Sequence, residues 1–77
     1  MKENYIIKVL LNWNYAKEKA SVANIAAKVG RSESQVRKWL KYLQQQGKVA
    51  KSPGGSWYVT QQYKKFLMEQ MKMLKGE

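Results

Sequence analysis

Ser34, Lys38, Lys41 and Gln45 recur three or four residues apart, with Gln35, Arg37 and Tyr42 beside them. At the 100° per residue of an α-helix, such spacing gathers side chains on one face. The groups are hydroxyl, amide, ammonium and guanidinium: hydrogen-bonding ends carrying net positive charge. Hydrogen-bonding groups on a cationic helix are what the major groove of a nucleic-acid duplex accepts. An amide can pair bidentately with adenine and a cationic donor with guanine, each good pair discriminating by about 1–3 kcal/mol. Catalytic chemistry is much harder to assemble here. The chain has no histidine, cysteine or aspartate, the residues on which neutral-pH acid–base work, common metal sites and nucleophile triads draw. Glu3, Glu18, Glu33, Glu69 and Glu77 have no helical spacing that pairs them, and Gly54-Gly55 forms no phosphate-cradling motif. The expectation is a binding protein and not an enzyme, with no metal, no cofactor and no readable small-molecule pocket.

Charge points the same way. Fifteen basic residues against five acidic ones give a formal charge of +10 in 77 residues. A polyanion relieves that self-repulsion, and nucleic acid is the commonest such partner. A membrane surface is the rival, but no apolar run approaches the roughly 20 residues a span requires. Met1 to Leu11 does not read as a secretory signal, since Glu3 and Asn4 precede its short apolar part and no small-residue cleavage site follows. The chain therefore reads as intracellular, cytoplasmic and associated with the nucleoid. Without cysteine, neither disulfides nor thiolate zinc can staple so small a core. Packing, alone or with a partner subunit, must hold it.

The element that carries these side chains spans 33–46. Val36, Leu40 and Leu43 form its apolar stripe with Trp39 at the border, Ser32 and Gln35 make a capping-box pattern, and Gly47 closes it. Before it, 3–17 reads as a wide-faced helix through Ile6, Leu10 and Trp13, with Ile7, Val9 and Leu11 beside them. Lys8 and Lys17 on that helix are placed to touch phosphate. Lys17 to Ala20 is a polar connection, a candidate bridge strand. Ser21 caps a second helix over 22–29, with Ile25, Ala26 and Val29 inward and Gly30 at its end. Two helices joined by so tight a glycine-containing turn form a helix-turn-helix unit.

After Gly47 the period changes from 3.6 to 2. Over 48–60 two short strands flank a Pro53-Gly54-Gly55 turn, with Val49, Trp57 and Val59 inward. Lys48, Lys51, Ser52 and Ser56 then fall near the hairpin tip, where a basic glycine-rich loop suits a phosphate backbone or minor groove. Thr60 caps a last helix over 61–75, striped by Tyr63, Phe66, Leu67, Met71 and Leu74 with Met68 and Met73 off the stripe. That is more apolar surface than one small core needs, and it marks a homodimer contact. The alternative is that this helix lies across the first.

Helix, helix, turn, helix, hairpin, helix is an α+β, mostly α order, and over about Glu3 to Leu74 it resembles a winged helix-turn-helix domain: a three-helix core, a two-stranded wing and a C-terminal helix in one domain over 1–77. The run from Ser21 to Gly47 is similar to bacterial and archaeal winged-helix regulators in its capping Ser, its Gly-Arg-Ser turn and its Val, Leu, Leu stripe. Trp57-Tyr58-Val59-Thr60 looks like their second wing strand running into a helix cap. In size and charge the chain is also similar to compact regulators of archaeal viruses and plasmids. The resemblance implies base-edge contacts from Ser34, Gln35, Arg37 and Lys38. It implies phosphate contacts from Lys41 and Tyr42 and wing contacts from Lys51 and Ser52, while Arg31 in the turn reads as a phosphate clamp. A branch that binds left-handed DNA also ends its wing near a Trp. It carries Asn and Tyr where this chain has Arg37 and Lys41, and two prolines where this chain has Pro53-Gly54-Gly55, so right-handed duplex is the expected partner.

The function expected is sequence-specific binding of double-stranded DNA to regulate transcription. Non-specific DNA binding or replication work for a mobile element is one alternative. A protein-binding adaptor working through the first or last helix is another. A last helix lying on a membrane would need its stripe uncovered, at a cost to the core.

Overall fold

The computed structural model describes residues 2–76, with side chains over 4–72. In chain order the elements are α1 (Lys2–Leu11), α2 (Val22–Val29), α3 (Glu33–Gln45), β1 (Val49–Lys51), β2 (Trp57–Val59) and α4 (Gln61–Gly76). The strands form an antiparallel hairpin in the register Val49↔Val59, Ala50↔Tyr58, Lys51↔Trp57. Ile6, Ile7 and Leu10 of α1, Ile25 and Ala26 of α2, and Val36, Leu40 and Leu43 of α3 meet in one core, which Val49, Trp57 and Val59 close from the hairpin. This is a winged helix-turn-helix fold, mostly helical.

Caps set the helix ends. The Ser21 hydroxyl accepts from the Asn24 N–H at 3.2 Å, and the Ser32 hydroxyl accepts from the Gln35 N–H at 3.2 Å. Only that half of the Ser32 capping box forms among the described residues, so the Gln35 side-chain amide is not spent on it. Gly47, at φ 75°, closes α3: its N–H donates to the Gln44 carbonyl and that of Lys48 to the Leu43 carbonyl. That is a Schellman closure, in which glycine takes the left-handed position without a Cβ clash. Gln46 is the cap residue, so α3 stops one residue short of the expected 46.

The first helix is shorter than its apolar spacing predicts, ending at Leu11 and not at Lys17. Asparagine competes for the backbone here. The Asn12 side-chain amide donates to the Lys8 carbonyl at 3.0 Å, and the Asn14 side-chain oxygen accepts from the Ala16 N–H at 3.2 Å. The Asn14 carbonyl takes the Lys17 and Glu18 N–H groups. Trp13 thus turns inward from a loop, 8% exposed, with its indole N–H donating to the Glu18 carbonyl at 2.8 Å. Lys17 to Ala20 forms no strand. It meets the hairpin through the Trp57 N–H donating to the Ala20 carbonyl and the Ala20 N–H donating to the Ser56 hydroxyl.

Tyr15 ties this loop to the wing, its hydroxyl donating to the Trp57 carbonyl at 2.8 Å. Burial raises its pKa above the usual tyrosine range. Because the folded-state pKa is the higher one, the unfolded chain loses its proton first as pH rises. Stability contributed by the neutral hydroxyl is therefore full below about pH 10 and is lost above it. Tyr15→Phe is expected to cost about 1 kcal/mol at neutral pH. In thermal melts across the alkaline range it should also show a shallower fall than the parent.

The last helix departs most from expectation. Only Tyr63 and Leu67 of the stripe reach the core, while Phe66 (50% exposed) and Met71 (62%) stay in solvent beside Met68 (69%). Leu74 and Met73 lie outside the residues whose side chains are described. Among the described residues, α1 packs mainly on α2, α3 and β2, and α4 does not lie across it. It is anchored at its start, where the Thr60 hydroxyl accepts from the Tyr63 N–H and donates to the Gly47 carbonyl. The resulting body measures 40 × 26 × 21 Å.

Candidate nucleic-acid interface

The α3 helix buries Val36, Leu40 and Leu43 and turns every polar candidate outward. Ser34, Gln35, Arg37, Lys38, Lys41 and Tyr42 are all exposed, as is Arg31 in the turn before them. Ser32 caps the end of α3 nearest Arg31, so that end presents N–H groups and a weak positive field to an anion. Arg37 lies 3.6 Å from Glu33 one turn earlier, both side chains well exposed. Such a surface pair is worth little and yields readily to a stronger acceptor. Lys38 and Lys41 make no ion pair among the described residues. Among the described residues, no segment buries these side chains, the hairpin included.

The wing is arranged differently from the expectation. Lys51 is exposed, and its Nζ sits 5.9 Å from the ring centroid of Trp57, its cross-strand partner. That contact holds the ammonium at the hairpin's side. Ser52 is half-buried and serves the turn: its hydroxyl accepts from the Ser56 N–H at 3.1 Å, leaving its own proton to donate. Lys48 does not lie at the tip. It sits at the hairpin base with Nζ 5.2 Å from the Tyr63 ring, and the Ser56 hydroxyl is taken by Ala20. The exposed tip is Pro53 and Gly54, with Lys51 behind it.

Some cations at the wing were not singled out from the sequence. Lys19 and Lys64 border the same hollow as Lys17, Ser52, Ser56 and Tyr58. They stand 45 residues apart, so no local periodicity connects them. The Tyr15–Trp57 and Ala20–Ser56 bonds, which draw the loop against the hairpin, bring them together.

A short turn between two helices, the second showing a free cationic face, followed by a two-stranded wing defines the winged helix-turn-helix class. Residues 11–51 match the model of the homeodomain-like domain family, and the chain belongs to that family. The family is one of helix-turn-helix domains. The structure is similar to that of a mutant of ZitR from Lactococcus lactis, with a TM-score of 0.58 and 24% identity, over 95% of this chain and 53% of that one. At that identity the likeness shows the fold, and the chain spans about half the length of the ZitR chain. No curated protein matches the sequence. Among the described residues, no helix is long and apolar enough to cross a membrane.

Proposed function

We propose that this chain is a sequence-specific regulator of transcription that lays α3 in the major groove of right-handed duplex DNA, with the wing on the adjacent backbone. The observation that carries the reading is the unobstructed polar face of α3, on which Lys38 and Lys41 stand exposed and without ion-pair partners among the described residues. Ser34, Gln35, Arg37 and Lys38 contact base edges. Arg31, Lys41 and Tyr42 meet phosphates, and Lys51 and the Ser52 hydroxyl act from the wing. The protein acts as a binder and not as a catalyst, in the cytoplasm where the nucleoid lies.

Selection of bound sequences from a random duplex pool at physiological salt tests specificity directly. A defined consensus is expected; an unenriched pool would show non-specific binding instead. With five or six phosphate contacts the log–log salt slope should be about −5. Arg37→Ala should blur the base preference at one or two positions, whereas Lys51→Ala should weaken all sequences alike. Identical behaviour of the two variants would refute this division of roles.

The uncovered flank of α4 supports a second element of the proposal, a homodimer formed through that helix. Phe66, Met68 and Met71 give it an exposed apolar surface that the monomer leaves unused. Sedimentation equilibrium at micromolar concentration is expected to show a dimer that Met68→Glu with Met71→Glu converts to monomer. A monomeric parent would remove this element and leave the DNA reading intact.

A further inference from the structure

One hollow among the described residues shares no residue with α3 or the hairpin. It is a cleft of about 570 Å³ between the end of α1, the loop that follows and the last turn of α2. That size falls within the roughly 300–1,000 Å³ of sites that hold small molecules. Lys8, Lys17 and Lys28 stand around it, three ammonium groups against the single carboxylate of Glu18. Lys28 has its Nζ 4.0 Å from Glu18 and 5.2 Å from the Trp13 ring centroid, in an exposed pair that yields readily to a stronger acceptor. Lys8 and Lys17 are exposed and make no ion pair among the described residues.

One wall is an aromatic ring. Tyr5, 50% exposed, is not drawn into the core, and half-buried Val9 continues its apolar surface to the buried Trp13 floor. The asparagine bonds that end α1 also shape the rim. The Asn12 amide nitrogen is used on the Lys8 carbonyl, so its oxygen is left as an acceptor. The Asn14 oxygen is used on the Ala16 N–H, so its amide nitrogen is left as a donor. Ammonium groups, an exposed ring and free amide ends in one concavity match the parts of a nucleotide: phosphate, flat base and base-edge hydrogen-bonding groups. A bare phosphate uses only the first of these, and a rigid duplex presents its bases edge-on and stacked, away from such a wall.

We infer that this cleft is a second, separate binding site, taking one nucleotide with its phosphate on Lys8, Lys17 and Lys28 and its base on Tyr5. The nucleotide is either free or one unit of a single strand. The inference does not depend on the duplex-binding reading of α3.

The test is amide and indole NMR on the full chain, titrated at matched ionic strength with adenosine 5′-monophosphate, adenosine, inorganic phosphate and a short adenine oligodeoxynucleotide. Saturable shifts of the Trp13 indole N–H and the Asn14 side-chain amide are expected with the monophosphate. Adenosine and phosphate should each bind about tenfold or more weaker. Lys28→Gln, at an exposed residue outside α3 and the wing hollow, should weaken the monophosphate severalfold while changing duplex affinity little. Tyr5→Ala should remove its advantage over phosphate. Equal affinity for nucleotide and oligonucleotide assigns the site to the free form, and tighter oligonucleotide binding assigns it to a strand; either upholds it. Equal shifts with phosphate and monophosphate, unaltered monophosphate binding by Lys28→Gln, or shifts confined to α3 would overturn it. Since duplex affinity is measured on the same variants, failure here and failure of the α3 reading are told apart.

Discussion

Lys38→Glu combined with Lys41→Glu is expected to lower duplex affinity about 100-fold at physiological salt, roughly 2.7 kcal/mol. Each cation that neutralises a phosphate releases counterions, and at that ionic strength the release contributes about 1 kcal/mol. Losing the Lys41 phosphate contact and the Lys38 base-edge contact, the latter about 1–3 kcal/mol, accounts for most of the change, and the two introduced carboxylates supply the rest. The salt slope should become shallower by about 1 unit at the same time, from the lost Lys41 phosphate contact. Neither side chain touches the core, since the stripe of Val36, Leu40 and Leu43 faces the other way. The thermal midpoint should accordingly stay within a few degrees of the parent. Fluorescence anisotropy with labelled duplex across a salt series makes the measurement. Affinity within threefold of the parent would mean that α3 is not the surface that meets DNA.

Leu40→Ala should have the opposite pattern, a large loss of stability with binding chemistry intact. Leu40 is fully buried where α3 meets α1 and α2. Truncating a leucine in such a place costs about 2–5 kcal/mol, the transfer term plus the cavity that remains. A domain of 77 residues has only about 4–12 kcal/mol in hand. The melting midpoint should fall by about 10–40 °C, read by circular dichroism at 222 nm. At a temperature where the variant is still folded, duplex affinity should match the parent. A drop in affinity without a drop in stability would place Leu40 in a role the structure does not give it.

Much of the helix-turn-helix was legible because its signals are local. Ser21 and Ser32 announce helix starts, Gly30 and Gly47 announce ends, and a stripe at helical spacing tells which side of α3 must be buried. An exposed polar face follows from that stripe without knowledge of what it packs against. The hairpin was legible for the same reason, since Pro53-Gly54-Gly55 interrupts an alternating pattern. The misreadings fall where a local signal was outcompeted. Ile6, Leu10 and Trp13 keep helical spacing, yet Asn12 and Asn14 capture backbone groups and stop α1 at Leu11, so Trp13 reaches the core from a loop. Ser56 reads as part of the exposed tip, but the Ala20 N–H claims its hydroxyl oxygen, whereas Ser52 accepts from the Ser56 N–H and keeps its own proton to donate.

From its residues alone this chain determined three things: where α2 and α3 begin and, to within a residue, end, which side of α3 is apolar, and that the whole carries a charge of +10. These depend on neighbours within a turn or two, and on a plain sum. Tertiary structure decided the rest. The loop bonded to the hairpin through Tyr15 and Ser56, Lys28 poised over Trp13, and an α4 left largely uncovered all depend on groups far apart in the chain. Such pairings cannot be read from spacing, because they exist only once folding has used some hydrogen-bonding groups and left others free.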